Sequence, residues 1–320
     1  MQNLLNVRIT DKKQIAKDIC VLKLAPASAE PLPFFSAGAH VDIHLATGIV
    51  RQYSLCNTAA QQDVYVIAVL RETESRGGST AVHDKLEVGD IIKISEPRNH
   101  FSLVQSATSS LLVAGGIGIT PLLRMAEELN TMGAAFGLHY CARSKDRMAF
   151  RDYLLSCDYS KRVHLHVDDG PDDQKLDLQQ VVSEAGPDAQ LYVCGPSGFI
   201  DWVLKGAQMA GVDASRLHRE YFSPQHVSDG QLAPFEIIVA STGQKLRVPP
   251  GKSAANVLIE AGVSLTVSCE EGICGSCITG ILEGTPDHRD SVFTDEERER
   301  GDRFTPCCSR AKSSRLVLDL

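Results

Sequence analysis

The sequence predicts a multidomain chain: an antiparallel β-barrel over residues 1–106, an α/β domain on a parallel sheet over 107–228, and a small β-rich domain over 229–320. Three observations carry this reading. Short runs of alternating hydrophobicity fill the first segment, apolar strands alternate with helical patterns in the second, and the third holds Cys269, Cys274, Cys277 and Cys307 in a tight frame. A length of 320 residues agrees with two or three domains.

In the first segment Val41–Leu45, Val64–Leu70 and Ile91–Ser95 alternate as half-buried strands, with Gly- and Asn-containing turns between them. Short strands at this spacing suggest a small antiparallel barrel. In the second, Ser110–Ala114 is an apolar strand running into Gly115-Gly-Ile-Gly118, after which a helix is predicted with Thr120 as N-cap and Pro121 at its first position. Strands at Phe136–Cys141, Val163–Val167 and Leu191–Cys194 alternate with helices at Leu178–Ala185 and Ile200–Ala210, the last stopped by Gly211. Strand–helix alternation implies a parallel sheet. Pro224–Pro234 is polar and turn-rich and reads as a linker. Beyond it come a hairpin, Phe235–Ala240 with Lys245–Val248, a helix over Ser253–Ala261 and a final strand, Arg315–Leu320.

The composition, with 43% hydrophobic and 22% charged residues, is that of a soluble globular protein. A net charge of −8 argues against a nucleic-acid partner. Met1–Thr10 lacks the apolar run and cleavage site of a secretory leader, and Leu111–Leu123 is too short and too interrupted by Gly and Pro to span a bilayer. A cytoplasmic chain with no membrane partner is expected. Its ten cysteines are then reduced thiols and metal ligands rather than disulfides.

The frame C-x4-C-x2-C, with a further cysteine some thirty residues on, is the ligand spacing of a plant-type [2Fe–2S] cluster. Gly272 and Gly275 let the loop curl and aim backbone N–H groups at sulfur. Cys307 and Cys308 compete for the fourth place, and the gap and flanking residues favour Cys307. A zinc knot would pair two C-x2-C units, which this chain does not have.

The glycine-rich turn Gly115–Gly118 leads into a helix N-terminus, which binds phosphate through its N–H groups and dipole. The strand ending in Cys194-Gly195-Pro196 supplies a second candidate edge, because open α/β sheets bind ligands at the carboxyl ends of their strands. A hydride donor moves two electrons and an iron–sulfur cluster one, so a flavin is needed between them. The barrel offers Arg51 for a phosphate, Tyr53 for a ring face, Ser54 for flavin N5, and a phosphate cradle at Arg76-Gly77-Gly78-Ser79.

This order of motifs resembles the phthalate dioxygenase reductase family, whose members supply electrons to Rieske-type oxygenases. The resemblance implies a flavin barrel, an NAD domain and a β-grasp ferredoxin domain, with electrons passing from NADH through FMN and a [2Fe–2S] cluster to a terminal oxygenase. It implies FMN contacts at Arg51, Tyr53, Ser54, Arg76, Gly77, Gly78 and Ser79, and nucleotide contacts at Gly116, Thr120, Cys194, Gly195 and Pro196. Phe222 in Glu220-Tyr-Phe222 then covers the flavin face where nicotinamide docks, and Ser54, Cys194 and Phe222 are the candidate catalytic set. Cys269, Cys274, Cys277 and Cys307 are the candidate ligands, and the chain is expected to be monomeric alone. The oxygenase substrate stays open among vanillate-like methoxybenzoates, phthalates, phenoxybenzoates and quaternary amines. NADPH stays open beside NADH, because Arg143 follows the second parallel strand where an acidic residue would grip a ribose hydroxyl. An electron carrier with vestigial flavin and nucleotide sites, and a reductase of small acceptors, are the competing readings.

Overall fold

A computed structural model describes residues 4–46, 48–57, 63–72, 77–186, 188–222 and 233–320. Arg76 and most of the expected linker lie outside these residues. The chain divides into two compact units, residues 3–222 and 223–320.

The larger unit begins with β1 (Leu4–Ala16), β2 (Ile19–Pro26), β3 (Ala39–His44), β4 (Val50–Ser54), β5 (Tyr65–Leu70), helix α1 (Gly78–Lys85), β6 (Ile91–Ser95) and the short β7 (Arg98–Asn99). All neighbours pair antiparallel, in the order β4-β3-β6-β1-β2-β5, with β7 beside β3. The two outer strands meet through a bridge between Leu55 and Ile67, which closes the sheet into a barrel. Alternate residues fill it: Val7 and Ile9, Leu22 and Leu24, Val41 and Ile43, Ile67 and Val69, Ile92 and Ile94. This is the period of two that a strand with one buried face requires.

Next come β8 (Ser109–Gly115), α2 (Ile119–Thr131), β9 (Ala135–Ala142), α3 (Arg151–Ser156), β10 (Val163–Val167), α4 (Leu178–Ala185), β11 (Gln190–Gly195), α5 (Ser197–Met209) and β12 (Leu217–Tyr221). Every strand pair is parallel, in the order β10-β9-β8-β11-β12. Successive residues of β8 serve opposite faces: Leu112 and Ala114 pack with α2, Leu111 and Val113 with α4 and α5. Strand order reverses between β8 and β11, so this sheet's switch point is framed by the two glycine-bearing strand ends.

The smaller unit contains β13 (Phe235–Val239), β14 (Lys245–Val248), α6 (Ala254–Glu260), β15 (Thr279–Glu283), β16 (Pro286–Asp287), α7 (Asp295–Arg300), β17 (Arg303–Phe304), β18 (Arg310–Ala311) and β19 (Arg315–Leu318). A mixed sheet runs β14-β13-β19-β15-β17, with β13 and β19 parallel. Ser253 caps α6 by accepting from the Asn256 N–H, and α6 lays Ala254, Val257 and Leu258 on a core of Ile237, Phe304, Leu316 and Leu318.

Two expectations need correction. Helix α2 starts at Ile119 with Gly118 at the cap, so Thr120 and Pro121 are its second and third residues. The Thr120 hydroxyl donates instead to the Ile117 carbonyl at 3.1 Å, because a tight 3-10 turn at Gly116–Gly118 already delivers the chain into helix. Helix α5 starts at Ser197, directly after Pro196, a full turn before the apolar pattern begins.

Candidate functional site

The two strand ends at the switch point are pressed together. A methyl group on Gly118 would collide with the Cys194 carbonyl, and one on Gly115 would lie 2.7 Å from the Phe199 ring. Only glycine lets the turn after β8 approach the end of β11 so closely. The N-termini of α2 and α5 thus open side by side, with Gly116 in the left-handed region at φ +55° and Pro196 capping α5. These ends present N–H groups and a positive dipole to an anion.

Ser54, the last residue of β4, reaches this place from the barrel. It is 5% exposed, and its hydroxyl donates to Glu220 Oε2 at 3.5 Å. Parallel register puts Glu220 of β12 beside Cys194 of β11. Cys194 is fully buried, and burial, then the Glu220 carboxyl, raises its proton affinity well above an ordinary thiol. Burial raises Glu220 to about 8, with the Ser54 hydrogen bond opposing. At neutral pH Glu220 therefore holds its proton. Phe222, just past β12, is half-buried against the α2 side of the sheet. Ser54, Cys194 and Phe222 were expected from the motifs. Glu220 stood in the same tripeptide without a role, since nothing in its sequence neighbours signals burial.

The barrel motifs also converge. A Cβ on Gly78 would lie 2.5 Å from Arg51 Nε, so the Arg51 side chain lies across the start of α1. Gly77 caps that helix at φ +90°, and the Ser79 hydroxyl accepts from the Glu72 N–H at 3.1 Å. A guanidinium over a helix N-terminus is a cradle for a phosphate ester, so these residues fit an FMN phosphate. Tyr53 is mostly buried and its phenol is pushed up by that burial. Ser54 leaves its hydroxyl beside the nucleotide strands.

The four frame cysteines of the smaller unit are all buried. They fall into two pairs. Cys277 Sγ lies 3.2 Å from Cys307 Sγ, and the Cys269 thiol donates to Cys274, which raises Cys269 and lowers Cys274. The Glu271 and Ser276 N–H groups each point at sulfur, at 3.4 Å from Cys269 and Cys274. Four buried thiols in two pairs, with N–H donors around them, would suit a two-iron cluster. Cys308 differs from Cys307: its sulfur packs over Gly272 and meets the Thr305 hydroxyl at 3.3 Å. Asp290, buried beside Cys308's neighbour Ser309, accepts from the Val292 and Phe293 N–H groups and from Ser309 Oγ at 3.4 Å, tying residues 290–293 to the segment that carries Cys307 and Cys308.

Fold and site together define a flavin- and iron–sulfur-type pyridine-nucleotide oxidoreductase. Two family models match: residues 112–205 an oxidoreductase NAD-binding domain, and residues 237–312 a 2Fe-2S iron-sulfur cluster binding domain. The vanillate O-demethylase oxidoreductase of Pseudomonas sp. is 49% identical over 99% of this chain and all of its own length. The solved phthalate dioxygenase reductase, described as a modular structure for electron transfer from pyridine nucleotides to [2Fe-2S], aligns over 99% of this chain and 98% of its own with 38% identity and a TM-score of 0.74. An intact type IV self-sufficient cytochrome P450 monooxygenase matches with 34% identity and a TM-score of 0.88 over 99% of this chain, which spans 41% of that protein. The chain belongs to the phthalate dioxygenase reductase family, whose members bind FMN, NADH and a [2Fe–2S] cluster, and among its relatives are reductase components of vanillate, phthalate and phenoxybenzoate oxygenase systems. Among the described residues no helix is long and apolar enough to cross a membrane.

Proposed function

We propose that this chain is the reductase component of a two-component Rieske-type oxygenase that demethylates an aromatic acid of the vanillate class, and that it draws its electrons from NADH. The observation that carries the reading is the meeting of Ser54, Cys194 and Glu220, which joins the flavin-side strand of the barrel to the switch point of the nucleotide sheet. Bound FMN supplies the change from a two-electron hydride to single electrons, and the [2Fe–2S] cluster carries them singly.

The chain's own residues do the rest. Arg51 and the start of α1, with Arg76, Gly77, Gly78 and Ser79, hold the phosphate. Tyr53 offers the ring face, and Ser54 presents its hydroxyl at flavin N5. Gly116, Thr120, Cys194, Gly195 and Pro196 seat the nucleotide, and Phe222 covers the flavin face until it arrives. Cys269, Cys274, Cys277 and Cys307 ligate the irons, while Cys308 stays bonded to Thr305. The functional domains are residues 1–106, 107–228 and 229–320, in a cytoplasmic protein that is monomeric until it meets its oxygenase.

The test is reconstitution. Purified chain with flavin and iron absorbance should drive saturable, NADH-dependent turnover of a vanillate-demethylating oxygenase, faster than with phthalate or phenoxybenzoate oxygenases. Equal rates with all three would remove the substrate assignment, and absence of flavin or iron would remove the reading as a whole.

A further inference from the structure

Strand β1 carries a lysine on the side of the barrel where the pattern calls for an apolar residue. Val7 and Ile9 point into the barrel, and strict alternation would turn Asp11 and Lys13 inward after them. The ladder with β2 prevents this. Ile9 pairs with Leu24 and Asp11 with Lys23, so Thr10 is the extra residue of a β-bulge. The bulge shifts the phase by one. Lys12 then lies opposite Leu22, a fully buried core residue, and turns to the barrel's inner face, while Asp11 meets Lys23 outside at 3.2 Å.

There the ammonium meets the end of α1. Lys12 Nζ donates to the carbonyls of Val82 at 3.0 Å, His83 at 2.6 Å and Leu86 at 2.7 Å. Carbonyls at the end of a helix have no partner within it, and an ammonium has three protons to donate. All three go to one helix end. Stabilising that end does not require a bulge in another strand. A cation in the helix's own last turn would serve, and α1 already has one in Lys85.

What the bonds from Lys12 fix is where α1 begins. The helix has eight residues and is about 12 Å long. Ala81 and Val82 pack it on the barrel core. A rod this short moves as a unit, so tying its last carbonyls to β1 sets its first N–H groups. At that first turn lie Gly77, Gly78 and Ser79, with the Arg51 side chain across them and no acidic residue among them. We propose that Lys12 is a positioning residue for the flavin phosphate, setting the height and tilt of the start of α1 against Arg51. This rests on the FMN site of the function proposed above and adds to it a residue from the opposite end of the helix.

Two consequences separate positioning from a general contribution to stability. Lys12 acts on the phosphate and not on the ring, because Tyr53 and Ser54 stand on β4, which is held by its own pairing with β3. Its loss therefore weakens FMN more than riboflavin, which has the same ring without the phosphate. Lys12 also acts through short hydrogen bonds rather than through a distant field, so the difference survives salt.

The experiment uses the full-length protein with iron bound, from which flavin is released by dilution and to which FMN or riboflavin is returned, followed by flavin fluorescence. Lys12→Met keeps the alkyl stem and removes the ammonium. Lys12→Gln keeps a polar head and serves where the first variant folds poorly. In both, the dissociation constant for FMN should rise about tenfold or more while that for riboflavin stays within about twofold. Iron content and circular dichroism should match the parent, and the loss for FMN should be the same at high salt. FMN affinity equal to the parent's, an equal loss for FMN and riboflavin, or a loss that vanishes at high salt would overturn the role of Lys12 and leave the proposed function intact. A parent protein that holds no flavin would overturn both.

Discussion

Three of the four frame cysteines lie within residues 269–277, while Ser54 and Glu220 are 166 residues apart and meet only because two sheets bring their strand ends together. In the cysteine loop, the arrangement is set by covalent spacing: a short turn aims N–H groups at the sulfurs of Cys269 and Cys274. In the strand-end site, spacing along the chain says nothing, and pairing register says everything. The first arrangement should fail locally and completely when a ligand is lost. The second should fail by degrees, because each strand is held by its own sheet.

Cys274→Ser gives the largest expected effect. Iron content and cluster absorbance should fall to background and delivery to an oxygenase should stop, while NADH still bleaches the flavin. If flavin bleaching were lost as well, the two sites would not be separable and the contrast would break. Gly118→Ala comes next, since its methyl group meets the Cys194 carbonyl and the strand ends must part. A cost of about 1–3 kcal/mol is expected, read as a lower melting temperature and a raised KM for NADH, with iron content unchanged. Ser54→Ala should cost about 1 kcal/mol, near fivefold in the rate of flavin reduction by NADH, with cluster absorbance untouched. An unchanged rate would remove Ser54 from the site.

Glu220→Gln should have the smallest effect at neutral pH, because burial keeps Glu220 neutral there. Its signature is in pH. The folded value of about 8 lies above the ordinary 4.5. Its contribution to stability is therefore full below 4.5 and is lost as pH rises through 8, since the unfolded chain releases the proton earlier. Thermal melts should show the variant losing less stability than the parent across that window. Parallel curves would mean that Glu220 is not held neutral.

Much of the fold could be read in advance wherever one period ran unbroken. Ile91–Ser95, Val163–Val167 and Lys245–Val248 are strands with the boundaries their patterns predict, and Leu178–Ala185 is a helix with its own. The long β1 went unread because its alternation fails at Thr10-Asp11-Lys12-Lys13. Tertiary pairing with β2 carries the strand through that polar stretch, with a register shift between Ile9 and Asp11. Thr120 was misplaced because a hydroxyl before a proline looks like a cap, whereas the preceding 3-10 turn had already begun the helix.

By itself the sequence determined the cysteine frame, the two glycine-rich turns, the strand–helix rhythm and the RxYS segment, because each depends on near neighbours and on the conformations glycine alone allows. Only the tertiary structure decided that Cys307 rather than Cys308 faces Cys277, that Arg51 lies over α1, and that Glu220 meets Ser54. Those facts rest on burial and cross-strand register. Both are properties of how sheets close, and no local run of residues encodes them.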